Sequence, residues 1–268
     1  MAVTKDEMLA AVKAQRDAFM AELPVPAAIR KDRLKRSVAM LVDHGQAFVD
    51  AMSEDFGHRS AEQSWMADIT VSIRTLKHSS KSLDKWMRPE RRKLDFPLGL
   101  LGAKGIVEFQ PKGVVGIIAP WNFPVQLTMG PIAGAFAAGN RVMVKSSEYT
   151  PTVAALFEEV GPKYFDVTEA LFLSGGPDVG KAFAELPFDH LLFTGATGIG
   201  KHILHAAADN LTPVTLELGG KSPQLVFNDA DLERALPFLA NAAIQNAGQT
   251  CSAGSRLRVT TSARRPLV

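Results

Sequence analysis

The sequence lacks a disulfide framework, a strong net charge and a long hydrophobic run. Its 268 residues include one cysteine, which excludes internal disulfides and favours a reducing compartment. With 30 basic against 28 acidic side chains, the formal net charge of +2 excludes the extended basic surface of a nucleic-acid-binding or membrane-surface protein. No apolar run approaches the length of a membrane span. We therefore expect a cytoplasmic protein that binds neither nucleic acid nor membrane.

The sequence also lacks a cluster of metal ligands. Its six histidines are scattered. His202 and His205 could share a helix face, but two histidines without a third ligand are a weak zinc signal. We predict no metal site.

The first third of the chain has the periodicity of helices. Residues 4 to about 90 place apolar side chains at helix spacing, as in Leu34, Val38 and Leu41. The charged residues 30–36 between them are interpreted as a solvated face. The basic run at 88–93 is interpreted as an exposed linker rather than a phosphate-binding patch, because prolines flank it.

Residues 96–110 have a pattern typical of extended structure joined by a glycine turn. We predict a projecting hairpin there. Apolar strands with exposed edges usually pack against a partner, so the hairpin is expected to form a subunit contact in a homodimer.

After Gly113 the sequence alternates between apolar strands and helices. Strands are predicted at 114–119, 141–145, 170–173, 191–194, 214–218 and 224–227. Helices are expected to begin at Pro124, at Pro151 with Thr150 as the N-cap, and after Asp229 or Asp231. The Pro151 helix is predicted to end at residues 161–162. Repeated strand–turn–helix units predict an α/β fold with a doubly wound, mostly parallel sheet.

Cys251 lies in the sequence Gly-Gln-Thr-Cys-Ser-Ala-Gly, which cannot be a core strand. A lone cysteine is usually a small buried hydrophobe, but a loop position favours an exposed, reactive thiol. Asn122 lies between two prolines at a strand end, where its amide could donate to an oxyanion or bond its own turn. Glu217 lies in an otherwise apolar strand, where a desolvated carboxylate is either partnered or a general base.

Two glycine-rich turns, at 175–180 and 195–200, lie between a strand and a helix. Either could bring backbone N–H groups to a pyrophosphate, although neither has the standard glycine order and each could be only a tight turn. Lys145 and Glu148 follow a predicted strand, where open α/β sheets bind ligands. They could bind the hydroxyls of a ribose or form a surface ion pair.

Together these motifs resemble the aldehyde dehydrogenase superfamily, and most of all its coniferyl aldehyde dehydrogenase branch. The matching blocks occur in order at 111–116 with 120–124 (Pro-Trp-Asn-Phe-Pro), 145–151, 193–200, 216–221 (Leu-Glu-Leu-Gly-Gly-Lys) and 248–251 (Gly-Gln-Thr-Cys). The resemblance implies a Rossmann-like NAD(P)-binding domain over residues 1–245, which includes the N-terminal helices and the hairpin at 96–110. Residues 246–268 would begin a catalytic domain.

The resemblance further implies oxidation of an aldehyde, aromatic in the coniferyl branch, to a carboxylic acid. Cys251 would attack the carbonyl, Asn122 and the backbone N–H of Cys251 would stabilise the oxyanion, and Glu217 would activate water to hydrolyse the thioester. NAD or NADP would be the cofactor, with Lys145 and Glu148 at the adenosine ribose. The remaining expected cofactor contacts are Trp121, Ser147, Gly176, Gly180, Thr194, Gly195, Gly200 and Leu218.

The sequence departs from the family pattern after Cys251, because only residues 252–268 follow it. In the family most of a catalytic lobe follows the cysteine, including a strand used in dimer assembly. We therefore expect a truncated or frame-shifted reading of a longer enzyme. The alternative function is an inactive dinucleotide-binding fragment or a subunit that acts only with a partner.

Overall fold

Helices form the first part of the chain, as the apolar periodicity predicts. The computed structural model describes residues 3–260. Its first elements are α1 (Lys5–Glu22), α2 (Ala27–Asp43), α3 (Gly45–Phe56), α4 (Ala61–Ser64), a π-helical turn (Trp65–Thr70) and α5 (Val71–Trp86). Thr4 and Glu7 form a capping box that begins α1. None of the helices between residues 3 and 260 is both long and apolar enough to cross a membrane.

A five-stranded parallel sheet lies at the centre of the fold. Its strands are β3 (Val114–Ile118), β4 (Arg141–Lys145), β5 (Ala170–Leu173), β6 (His190–Gly195) and β7 (Val214–Leu218), in the order β5-β4-β3-β6-β7. The connecting helices are α6 (Gln126–Ala138), α7 (Pro151–Tyr164), α8 (Pro177–Ala184) and α9 (Thr197–Ala208). The order reverses beside β3, as in a doubly wound sheet, which confirms the predicted fold class.

Helices cover both faces of this sheet and form two apolar clusters. One cluster joins α2, α3, α5, α6 and α7, and the other joins α1, α8 and α9. Gly116 in β3 is required by this packing, because a Cβ atom there would lie 2.6 Å from the Phe188 ring. Position 116 of the central strand therefore has no room for a residue larger than glycine.

The hairpin differs from its predicted position. Its strands are β1 (Glu90–Arg92) and β2 (Gly105–Val107), which pair antiparallel. Residues 96–102 form successive turns closed by bonds such as Leu101 N–H to the Pro97 carbonyl, rather than a strand. The predicted range contains β2, but the partner strand is formed by the polar residues 90–92, which the sequence analysis interpreted as linker.

Two details of α7 differ from the prediction. The helix continues through Pro162 to Tyr164 rather than ending at residues 161–162. Thr150 is the N-cap residue, as predicted, but its side chain makes no capping hydrogen bond. The carboxylate of Asp55, from α3, instead accepts the N–H groups of Thr152 and Val153 at 3.0 Å each. The N-terminus of α7 is thus capped from a distant helix.

The charged residues 30–36 are not simply a solvated face. Arg30 and Arg33 are 5% and 1% exposed. Arg33 bonds the carboxylates of Glu22 and Glu169, and Arg36 bonds Glu169 as well. Although partial burial raises the pKa of Glu169, the hydrogen bonds from Arg36 and Arg33 lower it to about 2. The prediction failed because partners far apart in sequence pair these charges.

The last described elements form a separate unit. They are β8 (Ser222–Val226), α10 (Leu232–Ile244), a 3-10 turn (Gln245–Gly248) and β9 (Gly254–Val259), with β8 and β9 parallel. Asp231 caps α10 by accepting the Arg234 N–H, in agreement with one of the two predicted caps. The domain boundary at residue 245 stays a prediction, and β8 pairs with β9 across it.

Candidate active site

The carboxyl ends of the parallel strands place several predicted site residues along one edge of the sheet. Register pairs Ile118 with both Lys145 and Phe193, so the residues that follow β3, β4 and β6 leave the sheet side by side. Thr194 pairs with Glu217, and Gly195 with Leu218. This edge is where open α/β sheets bind ligands.

Lys145 is buried at this edge, with 2% of its surface exposed. Its Nζ donates to the Ser146 carbonyl at 2.7 Å and to Glu148 Oε2 at 3.3 Å. Burial lowers the pKa of Lys145, and Glu148 opposes that shift. The alternative of a surface ion pair is wrong for Lys145, although Glu148 itself is exposed. Ser147 lies between them, with its Oγ accepting the Tyr149 N–H.

The helices that begin at this edge leave their N-terminal amides without side-chain caps. Gly176 precedes α8 and Ala196 precedes α9, and neither supplies an acceptor. A Cβ atom on Gly176 or Gly180 would meet no atom within 4 Å, so open space lies above these positions. A Cβ on Gly200 would lie 3.1 Å from the Leu218 side chain, which packs α9 closely on β7.

Two buried hydroxyl groups next to Lys145 add to this polar edge. The Oγ of Ser146 and the Oγ1 of Thr150 have no hydrogen-bond partner within the described part of the chain. Unpaired buried hydroxyls, free helix N-termini and open glycine positions together fit the phosphates and ribose hydroxyls of a dinucleotide.

Cys251 is exposed and lies in a turn between the 3-10 segment and β9. The loop that leads to it has an unusual backbone. Asn246 and Ala247 both have φ of 54°, and Gly248 has φ of 75°. Three consecutive left-handed residues reverse the chain just before the thiol, and two of them are not glycine.

The structure brings Asn122 to the cysteine loop. Its side-chain Nδ2 donates to the carbonyl of Gln249 at 2.7 Å. Its backbone carbonyl accepts from Asn246 Nδ2 at 3.0 Å and from Arg59 Nη1 at 3.1 Å. The Asn122 side chain thus bonds a loop more than a hundred residues away rather than its own turn.

Glu217 lies close in sequence to a second contact with this loop. The Cβ position of Gly220 lies 3.9 Å from the carbonyl oxygen of Cys251, and Arg256 Nε donates to the Lys221 carbonyl at 2.8 Å. Glu217 itself is exposed, contrary to the predicted desolvation. The reason is that β7 is the edge strand of the sheet, and nothing in residues 3–260 covers this side chain.

A family comparison agrees with this arrangement. The model of the family described as "Aldehyde dehydrogenase family" matches residues 1–268. The chain belongs to the aldehyde dehydrogenase family. The resemblance stated from the sequence motifs is therefore confirmed.

Two of the most similar relatives of this aldehyde dehydrogenase chain are bacterial. It is 48% identical over 251 residues to the coniferyl aldehyde dehydrogenase of Pseudomonas sp. strain HR199, covering 94% of this chain and 51% of the relative. It is 49% identical over 240 residues to the probable coniferyl aldehyde dehydrogenase of Caulobacter vibrioides, covering 89% of this chain and 50% of the relative. The predicted branch is thereby confirmed. The chain spans about half the length of these relatives.

Solved structures of family members share the fold of this aldehyde dehydrogenase chain. AldH of Staphylococcus aureus in a substrate-bound state matches with a TM-score of 0.90 and 30% identity, covering 97% of this chain and 56% of that one. The NAD+ complex of an aldehyde dehydrogenase from Bacillus cereus matches with a TM-score of 0.85 and 29% identity, covering 99% and 54%.

The sequence analysis missed residues of the helical layer that support the site of this family member. Asp68, which is fully buried, accepts Arg59 Nη2 at 2.7 Å and the N–H groups of Val125 and Gln126 at 3.1 and 2.9 Å. Burial raises the pKa of Asp68, while Arg59 and the two N–H groups oppose that shift. A signal was available, because Asp68 interrupts the buried stripe of its helix, where an acidic residue needs partners.

An apolar groove of about 320 Å³ lies outside this constellation, between β8 and α10. None of the predicted site residues lines it. The groove is lined by Gln224, Leu225, Val226, Ala230, Ala235, Phe238, Leu239 and Ala242.

Proposed function

We propose that this chain supplies the cofactor site and the nucleophile of an enzyme that oxidises an aldehyde to a carboxylic acid with NAD(P)+. The observation that carries the proposal is the hydrogen bond from Asn122 Nδ2 to the carbonyl of Gln249, two residues before Cys251. It joins an amide donor to the loop that carries the only thiol. The names of the two relatives support an aromatic, coniferyl-aldehyde-like substrate.

In the first step, the thiolate of Cys251 attacks the aldehyde carbon. A C–S bond forms, and the carbonyl π electrons move to the oxygen. A side-chain amide has two N–H groups, so Asn122 can anchor the loop with one and donate to the oxyanion with the other. The backbone N–H of Cys251 supplies a second donor. Such fixed donors are worth several kcal/mol in acyl-transfer sites, roughly 3–4 per donor.

The second step releases the acid. When NAD(P)+ is bound at the sheet edge, it would supply the acceptor for the hydride that leaves the thiohemiacetal carbon. Cys251 then carries a thioester. Glu217 takes a proton from water while the water oxygen attacks the thioester carbon, the C–S bond breaks, and the carboxylic acid leaves with the thiolate regenerated.

The sheet edge supplies the cofactor site. We assign the adenosine ribose to Lys145 and Glu148 and the phosphates to the uncapped N-termini of α8 and α9. The carboxylate of Glu148 would repel a 2′-phosphate, which favours NAD over NADP. The remaining assigned contacts are Trp121, Ser147, Gly176, Gly180, Thr194, Gly195, Gly200 and Leu218.

The hairpin formed by β1 and β2 supports a homodimer. Phe96, Leu100 and Leu101 at its turns are 85%, 79% and 78% exposed, and Ile106 in β2 is 56% exposed. A contiguous exposed apolar surface of this kind is typical of a subunit contact. Sedimentation of the chain and of a Leu100→Asp, Leu101→Asp double variant tests it: the proposed dimer dissociates in the variant.

The function is tested by mixing the purified chain with NAD+ and coniferyl aldehyde and following NADH absorbance. We expect NADH formation that the Cys251→Ala variant abolishes, while NAD+ raises the melting temperature of both proteins. A chain that forms no NADH would overturn the proposal, whether or not NAD+ raises its melting temperature.

A second candidate function is a cofactor-binding subunit without turnover of its own. The exposure of Glu217 favours it, because an exposed carboxylate is not desolvated as a general base at this position was expected to be. The same assay separates the two functions, because this candidate predicts thermal stabilisation by NAD+ without NADH formation.

A further inference from the structure

The loop that carries Cys251 has almost no apolar anchorage. No residue between 245 and 252 is buried. Two of its residues, Asn246 and Ala247, have the left-handed backbone that disfavours side chains other than glycine or asparagine. Burial therefore does not fix the loop, and its conformation depends on polar contacts.

Those contacts converge on one side chain, the amide of Asn246. Its Nδ2 donates to the carbonyls of Asn122 at 3.0 Å and Gln249 at 3.3 Å. Its Oδ1 accepts from Gln63 Nε2 at 2.7 Å. Both N–H groups of this amide and one of the two lone pairs on its oxygen are thus used in hydrogen bonds. Asparagine is also the non-glycine residue best suited to a left-handed backbone, so the position is matched to both tasks.

Gln63 is itself held by the helical layer. It lies at the start of α4, where its N–H donates to the Oγ of Ser60 at 3.1 Å. The neighbouring Arg59, buried and paired with Asp68, reaches the same Asn122 carbonyl that Asn246 contacts. The nucleophile loop and the oxyanion donor are therefore both tied to the segment 59–68.

We propose that Gln63 and Asn246 are positioning residues that set the Cys251 loop against Asn122. Neither touches the reacting atoms. Their amides fix the distance between two groups that are more than a hundred residues apart in the sequence. The inference rests on the proposed function for its catalytic meaning, but the loop geometry itself is testable without turnover.

The first measurement is hydrogen exchange by mass spectrometry over residues 245–253. In this loop the Gln249 N–H bonds the Asn246 carbonyl, and the Ala253 N–H bonds the Thr250 carbonyl. In Gln63→Ala, whose substitution leaves the loop backbone unaltered, we expect these amides to exchange about fivefold faster. Asn246→Gly should exceed that effect, and peptides from β3 and β4 should not change.

Ala247→Gly is the matched control. It has the same left-handed φ as Asn246 but makes no side-chain hydrogen bond, so glycine there adds local freedom without removing the amide. We expect a smaller effect than in Asn246→Gly. The double variant Gln63→Ala, Asn246→Gly should exchange no faster than Asn246→Gly alone, because both act through one contact.

The second measurement is steady-state kinetics with NAD+ and coniferyl aldehyde. Gln63→Ala and Asn246→Gly should lower kcat about tenfold while KM for NAD+ and the melting temperature stay unchanged. Unchanged exchange in both variants, or additive effects in the double variant, would overturn the inference. If the wild-type chain forms no NADH, the proposed function fails while the exchange experiment still decides the loop geometry.

Discussion

The sheet with its helices and the unit from residue 219 to 260 contrast sharply in burial. The central strands β3 and β4 are buried on both faces, and residues such as Phe157 and Val144 have no exposed surface. In the second unit Val226 is the only buried residue, and α10 has none. The proposed cofactor site lies in a region that supplies its own core, whereas the thiol lies in a region held against that core by hydrogen bonds.

The largest expected difference is in the free energy of unfolding, between two phenylalanine substitutions, one in each region. Phe157 is fully buried and stacks on Phe172 with ring centroids 5.2 Å apart, whereas Phe238 in α10 is 74% exposed. Phe157→Ala should lower the free energy of unfolding by about 3–5 kcal/mol, because it leaves a cavity. Phe238→Ala should change it by less than about 0.5 kcal/mol. Urea unfolding measures both, and equal losses would refute the contrast.

The next effect is a pH dependence confined to the first region. The depressed pKa of Glu169, about 2, means that its carboxylate stabilises the fold fully above its ordinary pKa near 4.5. This contribution, at most about 3 kcal/mol, is lost as the pH falls from 4.5 towards 2.

Unfolding of wild type and Glu169→Gln between neutral and acidic pH tests this. The variant should be less stable at neutral pH, and the difference should shrink on acidification. Glu233→Gln, exposed on α10, is the control and should leave the pH dependence unchanged. A constant gap between wild type and Glu169→Gln would contradict the assignment.

A smaller difference in stability is expected between substitutions of two helix caps. Thr4 begins α1, which packs on the sheet, and Asp231 begins α10, which buries no residue. Thr4→Ala should cost about 1 kcal/mol of global stability. Asp231→Ala removes an equivalent cap but should instead raise hydrogen exchange within α10 and leave the urea midpoint in place. A shift of the midpoint by Asp231→Ala would show that α10 unfolds together with the sheet.

The smallest effect concerns cofactor choice in the first region. Glu148→Gln removes the negative charge next to Lys145, so binding of NADP+ should tighten about threefold while that of NAD+ changes less. Calorimetric titration measures both affinities. The same shift should occur in a Cys251→Ala background, since the cofactor site does not depend on the thiol. If Glu148→Gln tightened NADP+ binding only when Cys251 is present, the cofactor site would depend on the second region, which would contradict the comparison.

Continuous apolar strands bounded by turns were predictable from the sequence alone. Arg141–Lys145, Ala170–Leu173 and Val214–Leu218 have the predicted limits. In the first two strands the apolar pattern also agrees with burial. Cys251 and Asn122 stood out as catalytic candidates because the cysteine is unique and the asparagine lies between two prolines, and that assignment stays a prediction. Local pattern could not reveal that Arg33 pairs with Glu169 or that Glu217 lies on the edge strand. Both facts depend on which distant element packs beside the residue, and the local sequence does not specify that element.

The carboxylate of Asp55 at the start of α7 has a consequence for how such sheets can be exchanged between proteins. The first two N–H groups of α7, the helix after β4, donate to a carboxylate from outside the βαβ unit. A graft of the strands and their own crossovers would therefore leave that helix without its cap. Any transfer of this sheet to another protein has to include α3 as well.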